Sequence, residues 1–325
     1  MNRKQINILL IFLSLAIIFI ISKDFIGNKA GKNKENPYQL DLEQFKKIDS
    51  TTVLYHEAIT FSVGEESPKG IAVDGKQILV VTDKQLLIFD YSGKELSRVE
   101  LPDTANCIAP VTGDQIWIGM LHSVASFDRK GTMLIKWKNF DERSVITSLA
   151  VAGNNVYVAD AGNRVVYQCD TKGVLLSKIG EKNEQKGVPG YIIPSPYFDL
   201  ALDDNGFLWV ANTGHHSLEN YNHDGSLRTS WGESSVRIEG FYGCCNPAQF
   251  AILPDNSFVT GEKGIPRIKL YDQHGVLKGI VASPALFENG WYAPDLAIDA
   301  DQRILALDID RKQVRIFEKL ENGKK

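Results

Sequence analysis

The sequence predicts an all-β chain: a six-bladed β-propeller of four-stranded blades, its last blade closed by an N-terminal strand, preceded by an N-terminal membrane anchor helix. Three observations carry the propeller. Short alternating apolar runs, four to a unit, repeat from about residue 50 to residue 320 with almost no helical period. The turn glycines Gly93, Gly131, Gly173, Gly225 and Gly275 recur at spacings of 38, 42, 52 and 50 residues, near the ~40–50-residue period of propeller blades. The last unit lacks a fourth strand, and a lone strand at 52–63 precedes the first unit.

The first segment differs from the rest. Arg3 and Lys4 precede residues 6–21, which are apolar apart from Asn7 and Ser14. A charged start followed by an apolar run is how export signals begin. No small-x-small cleavage site follows, and no cysteine stands near the end of the run. Residues 1–22 are therefore read as an uncleaved signal anchor and residues 23–49, rich in Lys, Asn and Gly, as a polar tether. Lys23, Lys29, Lys32 and Lys34 leave the positive-inside count balanced. The short basic tail favours placing the bulk of the chain outside the cytoplasm, in a periplasm or at the cell surface. Residues 321–325 are a polar tail.

Composition excludes several classes. The net charge of −4, with no strongly basic half, argues against a nucleic-acid partner. Four cysteines without a CxxC pair give no support to thioredoxin-like chemistry or to c-type haem.

Residues 146–180 show the plain repeat. A first run, Leu149 and Val151, meets a turn at Gly153. A second, Val156 to Val158, ends in the polar loop 160–164. A third, Val165 to Tyr167, ends at Asp170-Thr171-Lys172-Gly173, and a fourth fills 174–179. An Asp-to-Gly turn between alternating runs signals a hairpin. Equivalent units occupy 69–101, 106–137, 197–232, 247–281 and 294–320, the last without its outer strand. The strand at 52–63 supplies it, so that no edge is left open.

These residues resemble a known pattern. Leu149-Ala150-Val151, Val156 to Asn163-Arg164, Gln168 to Asp170 and Gly173 match the repeat of NHL propellers; Leu200 to Asp203 with Leu208 to Asn212, and Leu296 to Asp299 with Ile304 to Asp308, match well. The second unit, with Ala109-Pro110 and Gly119-Met120, departs most. The resemblance covers about residues 50–320 and implies a fold. It implies no single activity, because such propellers host enzymes, binding modules and scaffolds.

In a propeller, the loops between second and third strands share one face with the blade-joining loops. Three joining loops, 181–196, 233–246 and 283–293, exceed hairpin length and are rich in Gly, Pro and aromatics. The second-to-third-strand loops bring His122, Asp160, Arg164, His215 and His216 to the same face. Glu262, Lys263, Arg267, Asp308 and Asp310 join them from the late units. Cys244 and Cys245 are adjacent in Gly240 to Pro247. Three readings stand for the pair: a vicinal disulfide or simple packing, a redox thiol role, or metal binding with His215 or His216. Asp203-Asp204-Asn205-Gly206 has part of a calcium loop but reads better as a hairpin turn.

The function expected from these features is a membrane-tethered, extracytoplasmic binding or scaffold module. Its late-blade face would take a protein, glycan or small ligand, with Phe241, Tyr242, Trp291 and Tyr292 as binding aromatics. Two alternatives remain open. One is a metal-dependent lyase or lactonase-like enzyme at the channel mouth, drawing on His122, His215, Glu262 and Asp308. The other is an accessory of a membrane redox system using Cys244 and Cys245. No cofactor is predicted; zinc or calcium is the metal class these side chains would suit.

Overall fold

The computed structural model describes residues 5, 7, 12–19, 23, 43–109, 114–288 and 290–321. The chain forms two compact units, Met1–Asp41 and Leu42–Lys325. In the first unit residues 12–19 are helical, and Phe12, Leu13, Leu15, Ile17, Ile18 and Phe19 are exposed. Much of the expected anchor, and the tether from 24 to 42, lie outside the described residues, as does the tail beyond Glu321. Among the described residues no helix is long and apolar enough to cross a membrane.

The second unit opens with one helical turn, α1 (Glu43–Lys46), and then contains β1 (Tyr55–Ser62). Blade 1 comprises β2 (Pro68–Asp74), β3 (Gln77–Thr82), β4 (Gln85–Asp90) and β5 (Glu95–Glu100). Blade 2 comprises β6 (Ala105–Ile108), β7 (Gln115–Met120), β8 (Val124–Asp128) and β9 (Met133–Lys136). Blade 3 comprises β10 (Ile146–Ala152), β11 (Asn155–Asp160), β12 (Val165–Asp170) and β13 (Leu175–Ile179). Blade 4 comprises β14 (Leu200–Leu202), β15 (Leu208–Asn212), β16 (Ser217–Tyr221) and β17 (Leu227–Trp231). Blade 5 comprises β18 (Gln249–Ile252), β19 (Phe258–Glu262), β20 (Arg267–Tyr271) and β21 (Leu277–Ala282). Blade 6 is β22 (Asp295–Ile298), β23 (Ile304–Asp308), β24 (Gln313–Lys319) and, outermost, β1.

The expected closure is present. β1 runs antiparallel to β24, from Tyr55 opposite Lys319 to Ser62 opposite Gln313. The first-to-last pairing joins distant parts of the chain and covers the edge of β24, giving blade 6 the same four strands as the others.

The turns follow from local chemistry. Asp170 accepts from the amides of Lys172 and Val174 through Oδ1, and Gly173 sits at φ 85°. A Cβ there would lie 2.7 Å from Trp137 of the preceding blade, so conformation and packing both demand glycine. Gly275 meets Trp231 in the same way. Asp203 bonds the amides of Asn205 and Phe207, which makes the calcium-like run a hairpin turn, as expected.

Second strands such as β15 and β19 are buried along their whole length, whereas outer strands such as β5 and β9 are largely exposed. An alanine stands at equivalent register in each blade, Ala72, Ala109, Ala150, Ala201, Ala251 and Ala297, with Ala109 one residue past the end of β6. Six strands converge on the axis there, and small side chains let them approach.

Candidate binding face

Strand direction places the turns after each second strand on the same side as the blade-joining loops. On this face the loop 232–248, between blades 4 and 5, is fastened from two sides. Asn246 Nδ2 donates to Tyr242 O and Lys263 O, and Asn246 Oδ1 accepts the Lys263 amide at 3.0 Å. Lys269 Nζ donates to Ile238 O at 3.0 Å and Gly240 O at 2.7 Å, and Tyr271 Oη donates to Glu239 O at 2.9 Å. An aromatic bed of Trp231, Phe241 and Tyr271 lies beneath, with Lys269 Nζ 4.5 Å from the Phe241 ring centre.

The fastening depends on a buried charge cluster. Arg267 Nε and Nη2 each bond Glu262 at 3.1 Å, and Lys269 Nζ stands 2.7 Å from Glu262 Oε1. All three side chains are buried. Burial pulls the Lys269 ammonium down to about 8, against the pull of Glu262 in the opposite sense. Glu262 and Arg267 were expected at the rim as ligand groups. They instead lie inside blade 5, because β19 and β20 are middle strands covered on both faces.

The other expected residues divide similarly. Asp160 and Asp308 are buried turn caps. Asp160 accepts the amides of Val145 and Asn163, and Asp308 accepts the Arg311 amide and faces Arg315 Nη1 at 3.3 Å. His122 Nδ1 lies 2.7 Å from Ser144 O, which ties its turn to the next joining loop. Arg164 is exposed in a left-handed conformation. His215 Nδ1 is 3.0 Å from Asn212 Nδ2 and 3.5 Å from Glu219 Oε1, while His216 takes φ 56°. Among the described residues no three His, Cys, Asp or Glu side chains are grouped to hold a metal ion.

Lys263, Cys244 and Cys245 do come together, near the expected Tyr292 and Asp310, and Tyr197 is added to them. Lys263 Nζ sits 4.7 Å from the Tyr197 ring centre, and the Tyr197 hydroxyl accepts the Ala293 amide at 3.4 Å. Burial pushes the Tyr197 phenol up to about 12; the Ala293 amide opposes this, while Tyr292, Asp310 and Cys245 add to it. The two sulfurs lie 2.9 Å apart, and all four cysteines are free thiols. Just before Ala293 in the chain, Trp291 is 73% exposed and Tyr292 52%.

On the axis lies a cavity of about 320 Å³ lined by all six innermost strands. Five of its polar groups stand at equivalent register, Cys107, Ser148, Asp199, Gln249 and Asp295, and Lys69 and Thr147 add to the lining. Asp199 accepts Ser148 Oγ at 2.6 Å and the Phe250 amide at 2.8 Å, linking blades 3, 4 and 5. Asp295 accepts the Ile71 amide at 2.8 Å, linking blade 6 to blade 1. Burial pushes Asp199 up to about 6 and Asp295 to about 7, the latter helped by the charge of Asp199.

No protein-family model matches the chain, and no curated protein matches it. Solved structures do. A streptogramin B lyase structure superposes with a TM-score of 0.57 at 11% identity, covering 82% of this chain and 98% of that one. Virginiamycin B lyase from Staphylococcus aureus gives 0.55 at 13% identity, covering 82% and 89%. The WD40 β-propeller domain of Doa1 gives 0.56 at 12% identity, covering 82% and 97%. The chain shares their propeller fold. Identities this low carry nothing further, and neighbours that include a lyase and a WD40 domain differ among themselves in role.

Asp199, Asp295 and Tyr197 escape a motif search. Asp199 and Asp295 each precede a Leu-Ala-Leu or Leu-Ala-Ile run, where the other blades carry Gly, Cys, Ser or Gln. Aligning the six units at that position is the signal that exposes them.

Proposed function

We propose that the chain is a membrane-tethered, extracytoplasmic NHL-type propeller that binds a ligand on its late-blade face. The observation that carries this reading is the pair of exposed aromatics, Trp291 and Tyr292, on a loop whose Ala293 amide bonds Tyr197, the ring under Lys263. Exposed aromatics on a preorganised support lose little freedom on binding and bury large area. The neighbouring ammonium suits a ligand with an anionic or hydroxyl-rich edge, such as an acidic glycan or peptide. Tethering draws on the apolar run in residues 6–21 and the exposed apolar side chains of residues 12–19.

The test is a thermal-shift screen of acidic glycans and peptides against the full chain and Trp291→Ala. Ligands should raise the native Tm and leave that of Trp291→Ala unchanged. A ligand that stabilises both proteins equally would place binding elsewhere.

A second reading rests on the axial cavity. Two carboxyls held at about 6 and about 7 are poised to exchange protons near neutral pH, as an acid–base enzyme requires. It is the weaker reading, because both carboxylates already serve as links between blades. Loss of a measured lyase or lactonase activity on Asp295→Asn, with the Tm unchanged, would favour it over the binding reading.

A further inference from the structure

We propose that Cys244 and Cys245 form a dithiol–disulfide exchange site whose co-reactant is a disulfide arriving from solvent. The two thiols differ in access. Cys244 is exposed and Cys245 is buried. Gly243, just before them, is also exposed, and a Cβ built there would meet nothing nearer than the Asn246 amide at 3.9 Å. The approach to Cys244 is open.

The surroundings favour exchange within the pair over two independent thiols. The sulfurs lie 2.9 Å apart on a loop held by Asn246, Lys269 and Tyr271. A fixed neighbouring nucleophile turns the second step into an intramolecular one. Burial and the Cys244 sulfur hold the Cys245 thiol above its ordinary range, and Ser195 and the Lys263 ammonium, joined to the same loop through Asn246, pull in the opposite sense. The remaining thiols take no part. Cys107 and Cys169 are buried in the blades, and burial raises both thiols above their ordinary range.

The chemistry balances in two steps. The Cys244 thiolate attacks one sulfur of the incoming disulfide; that S–S bond breaks, a mixed disulfide forms, and the first thiolate leaves. The Cys245 thiolate then attacks the Cys244 sulfur, and the second thiolate leaves. The two cysteines are oxidised to a vicinal disulfide, the co-reactant is reduced to two thiols, and the two protons lost from the cysteines go to solvent or to the leaving thiolates. Adjacent residues have Cα atoms about 3.8 Å apart, short of the roughly 4.4–6.8 Å that disulfides prefer. The oxidised pair is therefore strained and easily reduced by a dithiol, which closes the cycle. The proposal does not rest on the ligand reading: the two tests read different groups, Trp291 and Cys244, and succeed or fail separately.

The experiment uses the reduced full chain and an aromatic disulfide reagent that releases a coloured thiolate. The native chain should release two equivalents and retain no adduct by mass spectrometry, having lost two hydrogens in the peptide that contains both cysteines. Cys245→Ser should release one equivalent and keep the adduct on Cys244. Cys244→Ser should release almost none until urea is added, and dithiothreitol should restore two reactive thiols to the oxidised native chain. A stable adduct on the native chain, or a native chain that reacts only in urea, would overturn the proposal. Circular dichroism of both variants confirms that a loss of reaction is not a loss of fold.

Discussion

Lys269 is a buried cation beside a second one, Arg267, with a single carboxylate between them. The surplus charge is met by the carbonyls of Ile238 and Gly240, so the cluster holds a loop as well as a blade. Removing the shared anion leaves the buried Arg267 guanidinium without its partner and pulls Lys269 further down, so that it sheds its proton. Glu262→Gln should therefore cost about 3–5 kcal/mol in urea unfolding. Lys269→Met should cost less, because Glu262 keeps its two bonds to Arg267; equal costs would deny Glu262 this central part. Asp295 gives a prediction in pH. Its carboxyl is held at about 7 in the fold, against an ordinary 3.8. The folded state thus binds more protons than the unfolded state between these values, and the Asp295 contribution falls as pH rises through that window. Asp295→Asn keeps an acceptor for the Ile71 amide and removes the titration. The Tm difference, variant minus native, should grow in the variant's favour from about pH 4 to about pH 7. A difference independent of pH would show that Asp295 does not titrate there.

At the scale of elements, the loop 232–248 matters most, and it is fastened through Asn246. Asn246→Ala removes both bonds to the Lys263 backbone. Hydrogen exchange at the Lys263 amide should accelerate, and stability should fall by about 1–3 kcal/mol. Unchanged exchange at Lys263 would mean that the loop is held by Lys269 and Tyr271 alone. Loops of this kind mark the limit of what the sequence makes legible. Strand number, hairpin turns and the Asp203 turn all follow from residue periodicity and Asp-to-Gly spacing. The inward pointing of Glu262 and Arg267 does not. Alternation predicts one wet face for a strand, but β19 and β20 are middle strands packed between neighbouring blades, so both of their faces are covered. Asp160 and Asp308 are misplaced for a related reason, since a carboxylate that caps its own turn looks in sequence like one offered to a ligand. Tyr197, Tyr292 and Asp310 meet across three loops, a convergence that no local pattern encodes.

For the whole molecule, the spare strand at one end and the missing one at the other were enough to predict the closure, because the count of apolar runs is insensitive to loop detail. Removing residues 1–63 would strip β1 from blade 6 and expose the edge of β24. Such a truncated chain should aggregate or dimerise in size-exclusion chromatography, while a chain starting at residue 43 should elute as a monomer; a monomeric folded product lacking β1 would deny the closing strand its role. The five tryptophans offer a direct view of the late-blade face. Trp117, Trp137 and Trp209 are buried and Trp231 is partly covered, whereas Trp291 is 73% exposed. In protein labelled with 5-fluorotryptophan, a ligand emerging from the glycan and peptide screen should shift the Trp291 fluorine resonance and leave the Trp209 and Trp231 signals in place. A ligand that shifts Trp209 or Trp231 and leaves Trp291 unmoved would contradict the account.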